Sequence, residues 1–347
     1  MSVTDTGFRL GGHAIRRIVL GRAPRPVLTL LTLGATVERL EITGGDGERR
    51  NVALGLPAPE HYLAGTDYLG GTIGRYANRI RDGRFTLDGA EIEVGTHDRG
   101  NHLHGGPDGF DRRAWEIVEA TDDRARLRLV SPDGDQGFPG VLTAAATFAV
   151  TDSGVIIDLT ATTDAPTVVN LTNHAYVNLD GAGTGTVDDH ELSVRADRYT
   201  PVDPTGIPTG GHASVAGSAF DLRDPRRIGD AIRSGEEQVV WARGIDHNYV
   251  LDATATSRPA ATLTSARTRT RLDIHTDQPG LQVYTGNFLD GSSPSTGGGR
   301  YRQGDGIALE PQLFPDTPNR PDFGTAVLRP GETYASRIEW RFSALPA

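Results

Sequence analysis

The sequence predicts an all-β protein made of antiparallel sheet. Three observations carry this. Glycine (44) and proline (21) punctuate all 347 residues, as expected of many strands joined by turns. Strong helix-forming stretches are scarce. Apolar and polar residues alternate with period two in segment after segment, the signature of a sheet with one buried face.

The elements follow in chain order. Ala125, Leu127 and Leu129 alternate with Arg124, Arg126 and Arg128, and Val155, Ile157 and Leu159 with Ile156, Asp158 and Thr160. Leu192, Val194 and Ala196 alternate with Ser193, Arg195 and Asp197. Leu272 and Ile274 alternate with Arg271, Asp273 and His275, and Ile338, Trp340 and Phe342 with Arg337, Glu339 and Arg341. Turn pairs separate such runs at Asp82-Gly83, Asp88-Gly89, Asp133-Gly134, Ser153-Gly154, Asp180-Gly181 and Pro330-Gly331. One short helix is expected within Asp224–Gly235, with Pro225 in its first turn and Gly235 as its stop. Pro201–Gly217 and Gly291–Gly306 read as long loops, which in compact domains are often functional. With no internal repeat and no break in composition, residues 1–347 are expected to form one large β-sandwich domain.

Composition narrows the chemistry. The chain has no cysteine, and all 35 of its basic residues are arginine. A thiol nucleophile, a cysteine zinc site and a lysine Schiff base are therefore excluded. The formal charge is -10, with both signs scattered along the chain and no basic stripe of the kind nucleic-acid binders carry. A neutral, polar small molecule suits this balance. No apolar run approaches a membrane span, and Met1–Leu20 lacks the layout of a secretory signal. A cytoplasmic protein without nucleic-acid or membrane partners is expected, as a monomer or homodimer.

Four short runs hold the groups for proton transfer: His104 in Asn101-His-Leu-His-Gly-Gly106, His174 in Asn170-Leu-Thr-Asn-His174, Asp246 in Gly244-Ile-Asp-His-Asn248, and Glu310 in Ala308-Leu-Glu-Pro-Gln312. His174 stands in the densest polar run of the chain, Asn170-Leu-Thr-Asn-His-Ala-Tyr-Val-Asn-Leu-Asp-Gly181, and histidine titrates near neutral pH. Glu310 follows Ile307-Ala-Leu309, a setting for a desolvated carboxylate with a raised pKa. Asp246, in Ile245-Asp-His-Asn-Tyr-Val250, is a similar candidate, or else a turn residue bonded to its own backbone. His102 and His104, if both lie on a strand, share one face and could bind a metal with further ligands; Gly105-Gly106 argues instead for a tight turn. The glycines of Leu69-Gly-Gly-Thr-Ile-Gly-Arg-Tyr-Ala-Asn-Arg-Ile80 fit no phosphate-loop spacing. They read as close backbone packing that presents Asn78 and Arg79, either to a hydroxyl-rich ligand or, for Arg79, to a structural carboxylate. Leu281-Gln-Val-Tyr-Thr-Gly-Asn-Phe288 adds amide, phenol and aromatic groups suited to lining a polar pocket.

Taken in order, Gly74–Ile80, Asn101–Gly106, Asn170–His174, Asp246-His247, Gln282–Asn287 and Leu309–Gln312 with Pro315-Asp316 resemble the aldose 1-epimerase (galactose mutarotase) family, from about Gly11 to Phe342. The resemblance implies a large antiparallel β-supersandwich with a polar cleft. It also implies the interconversion of the α- and β-anomers of a free aldose, without cofactor or metal. Glu310 would be the general base, His174 the general acid, and His104 a group near the ring oxygen. Asp246, Asn78, Arg79, Gln282 and Tyr284 would bind the monosaccharide. Val177 and Pro311 depart from residues common in the family at those places and bear on substrate preference. Two other readings of the same fold remain: a glycoside hydrolase or phosphorylase working with Asp246 and Glu310, and a non-catalytic sugar-binding protein.

Overall fold

The computed structural model describes residues 1–252 and 257–346. Among them, three antiparallel sheets hold most of the strand residues. The first is a simple meander of Ser2–Leu10, His13–Leu20, Val27–Leu31, Thr36–Thr43 and Arg49–Asn51. The second has nine strands. Its centre is Leu142–Val150, Gly154–Thr163, Tyr334–Ala344 and Thr270–Thr276, so the C-terminal strand is the seam between its two halves. The third has six strands, in the spatial order Tyr176–Val177, Ile307–Gln312, Gly280–Tyr284, Asp246–Val250, Arg198–Tyr199 and Ala213–Ser214.

The predicted alternation is present in three dimensions. Ala125, Leu127 and Leu129 are buried while the intervening arginines face outward. Ile338, Trp340 and Phe342 are likewise buried. Ile18, Leu28 and Leu40 of the meander meet Leu127, Phe148 and Trp340 of the nine-stranded sheet and Tyr249, Val283 and Leu309 of the six-stranded sheet in one apolar cluster. Each large apolar side chain buried this way contributes about 1.5–3 kcal/mol. This is the β-supersandwich the sequence led us to expect.

Two local expectations are corrected. The helix expected within Asp224–Gly235 is shorter and begins later, at Ile228–Ile232. Arg226–Arg227 instead pairs with Glu191 and Leu192, and the Ile228 and Gly229 amides donate to His190 and Asp188 carbonyls, which holds the preceding backbone extended. Two further short helices, Pro59–Ala64 and Glu237–Ala242, had no strong sequence signal. The Gly291–Gly306 stretch is not a plain loop. It contains the strands Asp290–Pro294 and Arg300–Arg302, tied by the Arg300 guanidinium to the Gly291 and Ser292 carbonyls and by a Ser295–Gly299 turn. Pro201–Gly217 remains mostly irregular, with one short strand, Ala213–Ser214, and straps the sheet edge beside the site described next.

Candidate active site

Strand register builds the site floor. In the six-stranded sheet Leu281, Val283, Tyr249 and Leu309 point into the core. Period two then sends Gln282, Tyr284 and Glu310 to the opposite face. Cross-strand pairing sets them side by side: Gln282 opposite Glu310, and Asp246 opposite Tyr284. The Gln282 amide donates to Asp246 Oδ1 (2.7 Å), so Asp246 is a cleft residue and not a turn bonded to itself.

The facing wall comes from the glycine-rich motifs. A side chain at Gly74 would collide with Phe110 and Leu171, which confirms the close packing read from that motif. Asn78 and His104 both adopt left-handed backbone, at φ 65° and 51°. They grip each other: the His104 amide donates to the Asn78 carbonyl (3.0 Å), and the Asn78 amide donates to His104 Nδ1 (3.1 Å). Gly105 fits because a Cβ there would lie 1.8 Å from the Gly74 carbonyl oxygen. The shared-face reading of His102 and His104 is therefore wrong. The strand ends at Leu103, and the φ of His104 turns its ring into the cleft. His102 packs on Phe138 and bonds the Gly95 carbonyl. Arg79 does pair with a structural carboxylate: its Nε donates to Asp98 (2.8 Å), and its side chain also lines the cleft.

Most of the polar run after Asn170 satisfies the protein itself. Asn170, Asn173 and Asn178 side-chain amides donate to the backbone carbonyls of Ala77, Gly70 and Gly185. His174 is the exception. Its Nε2 lies 3.6 Å from Glu310 Oε1, with both side chains buried. Burial acts on the two in opposite directions. It pushes the His174 ring down to about 4, since the cation is poorly solvated there. It pushes the Glu310 carboxyl well above its ordinary range, helped by the Asp246 charge and opposed by Arg79. Glu310 Oε2 and Gln282 Oε1 are buried without a partner. Both atoms belong to side chains that line the cleft, and buried polar groups of this kind call for a partner or a catalytic role.

All eight residues singled out from sequence line one cavity of about 520 Å³: Asn78, Arg79, His104, His174, Asp246, Gln282, Tyr284 and Glu310. Phe288, the aromatic of the Leu281–Phe288 run, lines the cavity as well, whereas sequence reasoning missed Tyr68, Asp98 and Tyr176. Tyr176 lay inside a quoted motif; Tyr68 had no signal beyond standing just before the glycines. A larger depression of about 910 Å³ beside Trp115 has His13 as its only histidine, and that side chain is exposed. It has no acid–base pair like the one above.

One ring nitrogen each of His104 and His174 and a carboxylate oxygen of Glu310 lie within 4.8 Å of one another, close enough to converge on a cation. The hydrogen bonding of His104 opposes this. A metal-bound histidine normally donates its second N–H to an acceptor. Here Nδ1 faces the Asn78 N–H and must be the acceptor, so a neutral ring carries its proton on Nε2, the nitrogen left to face the cleft. His104 is built as a donor.

The chain matches the Aldose 1-epimerase family over residues 16–341. The chain belongs to the aldose 1-epimerase family. An aldose 1-epimerase from Escherichia coli (strain K12) is 42% identical over 337 residues, covering 96% of each chain. A galactose mutarotase from Mus musculus is 39% identical over 346 residues, covering 99% of each. Among solved structures, galactose 1-epimerase from Lactobacillus acidophilus superposes with a TM-score of 0.87 at 33% identity, over 99% of both chains. An aldose epimerase homologue from C. elegans gives a TM-score of 0.89 at 31% identity, over 95% of this chain and 99% of that one. The enzymes of this family are isomerases, and no helix among the described residues of this member is long and apolar enough to cross a membrane.

Proposed function

We propose that the protein is an aldose 1-epimerase that interconverts the anomers of a free aldose, with galactose or glucose as substrate, and that Glu310 and His174 carry the reaction. The observation that supports this most is their placement as a facing acid–base pair at the cavity floor, 3.6 Å apart. The reacting oxygens O1 and O5 are bonded to the same carbon, so a base for one and an acid for the other must sit side by side. The Glu310 carboxylate takes the C1 hydroxyl proton. The C1–O5 bond breaks as C1=O1 forms, and His174 delivers a proton to O5. Rotation about C1–C2 presents the other face of the aldehyde. Reclosure returns the protons with roles reversed.

Burial favours the middle of this sequence. The ring-opened complex has its proton on Glu310 and a neutral His174, the arrangement that the buried site prefers. The closed-ring complexes need the carboxylate and imidazolium. Sugar hydroxyls donating to Glu310 Oε2 and Gln282 Oε1 would support the charged form. His104 donates from Nε2 toward the sugar, and Asp246, Asn78, Arg79 and Tyr284 hold its remaining hydroxyls.

A hydrolase would call for two carboxylates flanking a bond. The facing pair here is one carboxylate and one imidazole, which favours anomer exchange. A cytoplasmic location and one functional domain over residues 1–347 belong to the same proposal; the core shared by three sheets supports the latter. Polarimetry of freshly dissolved α-D-galactose and α-D-glucose tests the activity. Faster approach to the same final rotation is expected, and no acceleration with either sugar would overturn the substrate assignment.

A further inference from the structure

We propose that Tyr68 is a positioning residue whose ring sets the orientation of both cleft imidazoles, His174 and His104, and so the aim of the acid at the sugar ring oxygen. The inference rests on the acid–base assignment above.

A working histidine is usually oriented by a hydrogen bond at its second nitrogen. In His174 that support is only local: Nδ1 is buried without a partner in another residue and meets no more than its own backbone. Its ring direction therefore depends largely on packing. Tyr68, Tyr176 and Tyr284 all lie against it, at centroid distances of 5.9, 5.0 and 6.2 Å. Tyr68 alone of these three also packs on His104, edge-on at 4.6 Å, and His104 itself stands 5.4 Å from His174. One ring thus bridges the two imidazoles.

The backbone is arranged for this placement. Tyr68 has a φ of 54°, uncommon for a large side chain. It opens a tight turn in which the Gly71 amide donates to the Tyr68 carbonyl (3.1 Å). The turn is bonded both ways to His174: the Gly70 amide donates to the His174 carbonyl (3.0 Å), and the His174 amide donates to the Gly71 carbonyl (2.9 Å). The Asn173 side chain also donates to the Gly70 carbonyl (2.9 Å). Tyr68 and His174 are fixed relative to each other through main chain as well as through their rings. Left-handed backbone on a bulky residue persists where surrounding structure holds it, and such strain clusters at working sites.

The test compares Tyr68→Phe, Tyr68→Asn and Glu310→Gln by polarimetry on the same sugar. Asparagine tolerates left-handed backbone, so Tyr68→Asn removes the ring and keeps the turn; if it does not fold, Tyr68→Leu takes its place. Tyr68→Phe is expected to stay within about twofold of wild type, whereas Tyr68→Asn loses about 10- to 100-fold in kcat with KM changed less than about threefold. Full kcat in Tyr68→Asn overturns the inference. So does an equal loss in Tyr68→Phe, which would make the hydroxyl the active part, or a loss confined to KM, which would make Tyr68 a sugar contact. Glu310→Gln separates the two levels: if it keeps its rate, the acid–base reading itself fails. If it is inactive while Tyr68→Asn is fast, only the Tyr68 inference falls.

Discussion

Glu310 Oε1 lies 3.6 Å from His174 Nε2, although the strand Ile307–Gln312 that carries Glu310 and the link between Thr172–Asn173 and Tyr176–Val177 that carries His174 are more than a hundred residues apart in sequence. Acid–base groups of this type contribute about 10²–10⁴-fold to rate. Glu310→Gln and His174→Asn are each expected to lower kcat by about that factor while thermal unfolding stays near wild type. Polarimetry with parallel melting curves checks this, and a near-normal rate in either variant would remove that residue from its role.

The rate should be bell-shaped in pH. The pair works with one shared proton. Below about 4 the buried His174 ring gains a second proton and no base remains. At the other limb Glu310 loses the last proton at a pH well above the ordinary carboxylate range, and no acid remains. The two limbs belong to the pair and not to either residue alone. Measuring kcat across the acid and neutral range tests this; an acid limb near neutrality would contradict a buried, neutral His174.

Asp111 offers a stability test. It is buried with Oδ1 unpartnered, and burial raises its carboxyl from 3.8 to about 7. Between those values the folded chain holds a proton that the unfolded chain has lost. Its contribution is full below 3.8 and is lost as pH rises through about 7. Asp111→Asn removes this dependence. Relative to wild type the variant should gain stability as pH rises from 4 to 7, on the order of a few kcal/mol. Urea titrations at several pH values would show it, and a difference that does not grow with pH would refute it.

Chelation should leave the rate unchanged. His104, His174 and Glu310 are near enough to hold a cation, but His104 Nδ1 already accepts from Asn78. Activity lost to a chelator and restored by a divalent ion would reverse that reading.

Gly206→Ala should raise KM more than it lowers kcat. Gly206 has a φ of 85°, and a Cβ there would lie 2.8 Å from the Arg79 guanidinium carbon. The methyl would push the guanidinium away from the cleft and from Asp98. Binding depends on that group more directly than proton transfer, to which its charge contributes by lowering the Glu310 carboxyl; an unchanged KM would show that the strap does not set Arg79.

Strand character, turn positions and the eight cleft residues were legible because each rests on local pattern. Alternation marks a buried face, paired Asp-Gly marks a turn, and acid–base residues stood in unusual polar runs. The helix at Ile228–Ile232 lies inside the expected stretch, but its start was misplaced because pairing of Arg226 and Arg227 with a strand far away in sequence overrode the proline signal. The hairpin within Gly291–Gly306 was hidden because its stability comes from hydrogen bonds and turn geometry and not from apolar alternation.

The sequence by itself determined the fold class, the family resemblance and which side chains are chemically able to do the work. Local propensity, apolar spacing and residue chemistry are properties of short segments. Tertiary structure alone decided how those groups act. Strand register brought Gln282 beside Glu310, and a left-handed backbone turned His104 away from His102. Burial drove His174 and Glu310 in opposite directions. Tyr68, silent in sequence, lies against both imidazoles. Desolvation and ring contacts depend on which distant segments meet, and no local pattern carries that information.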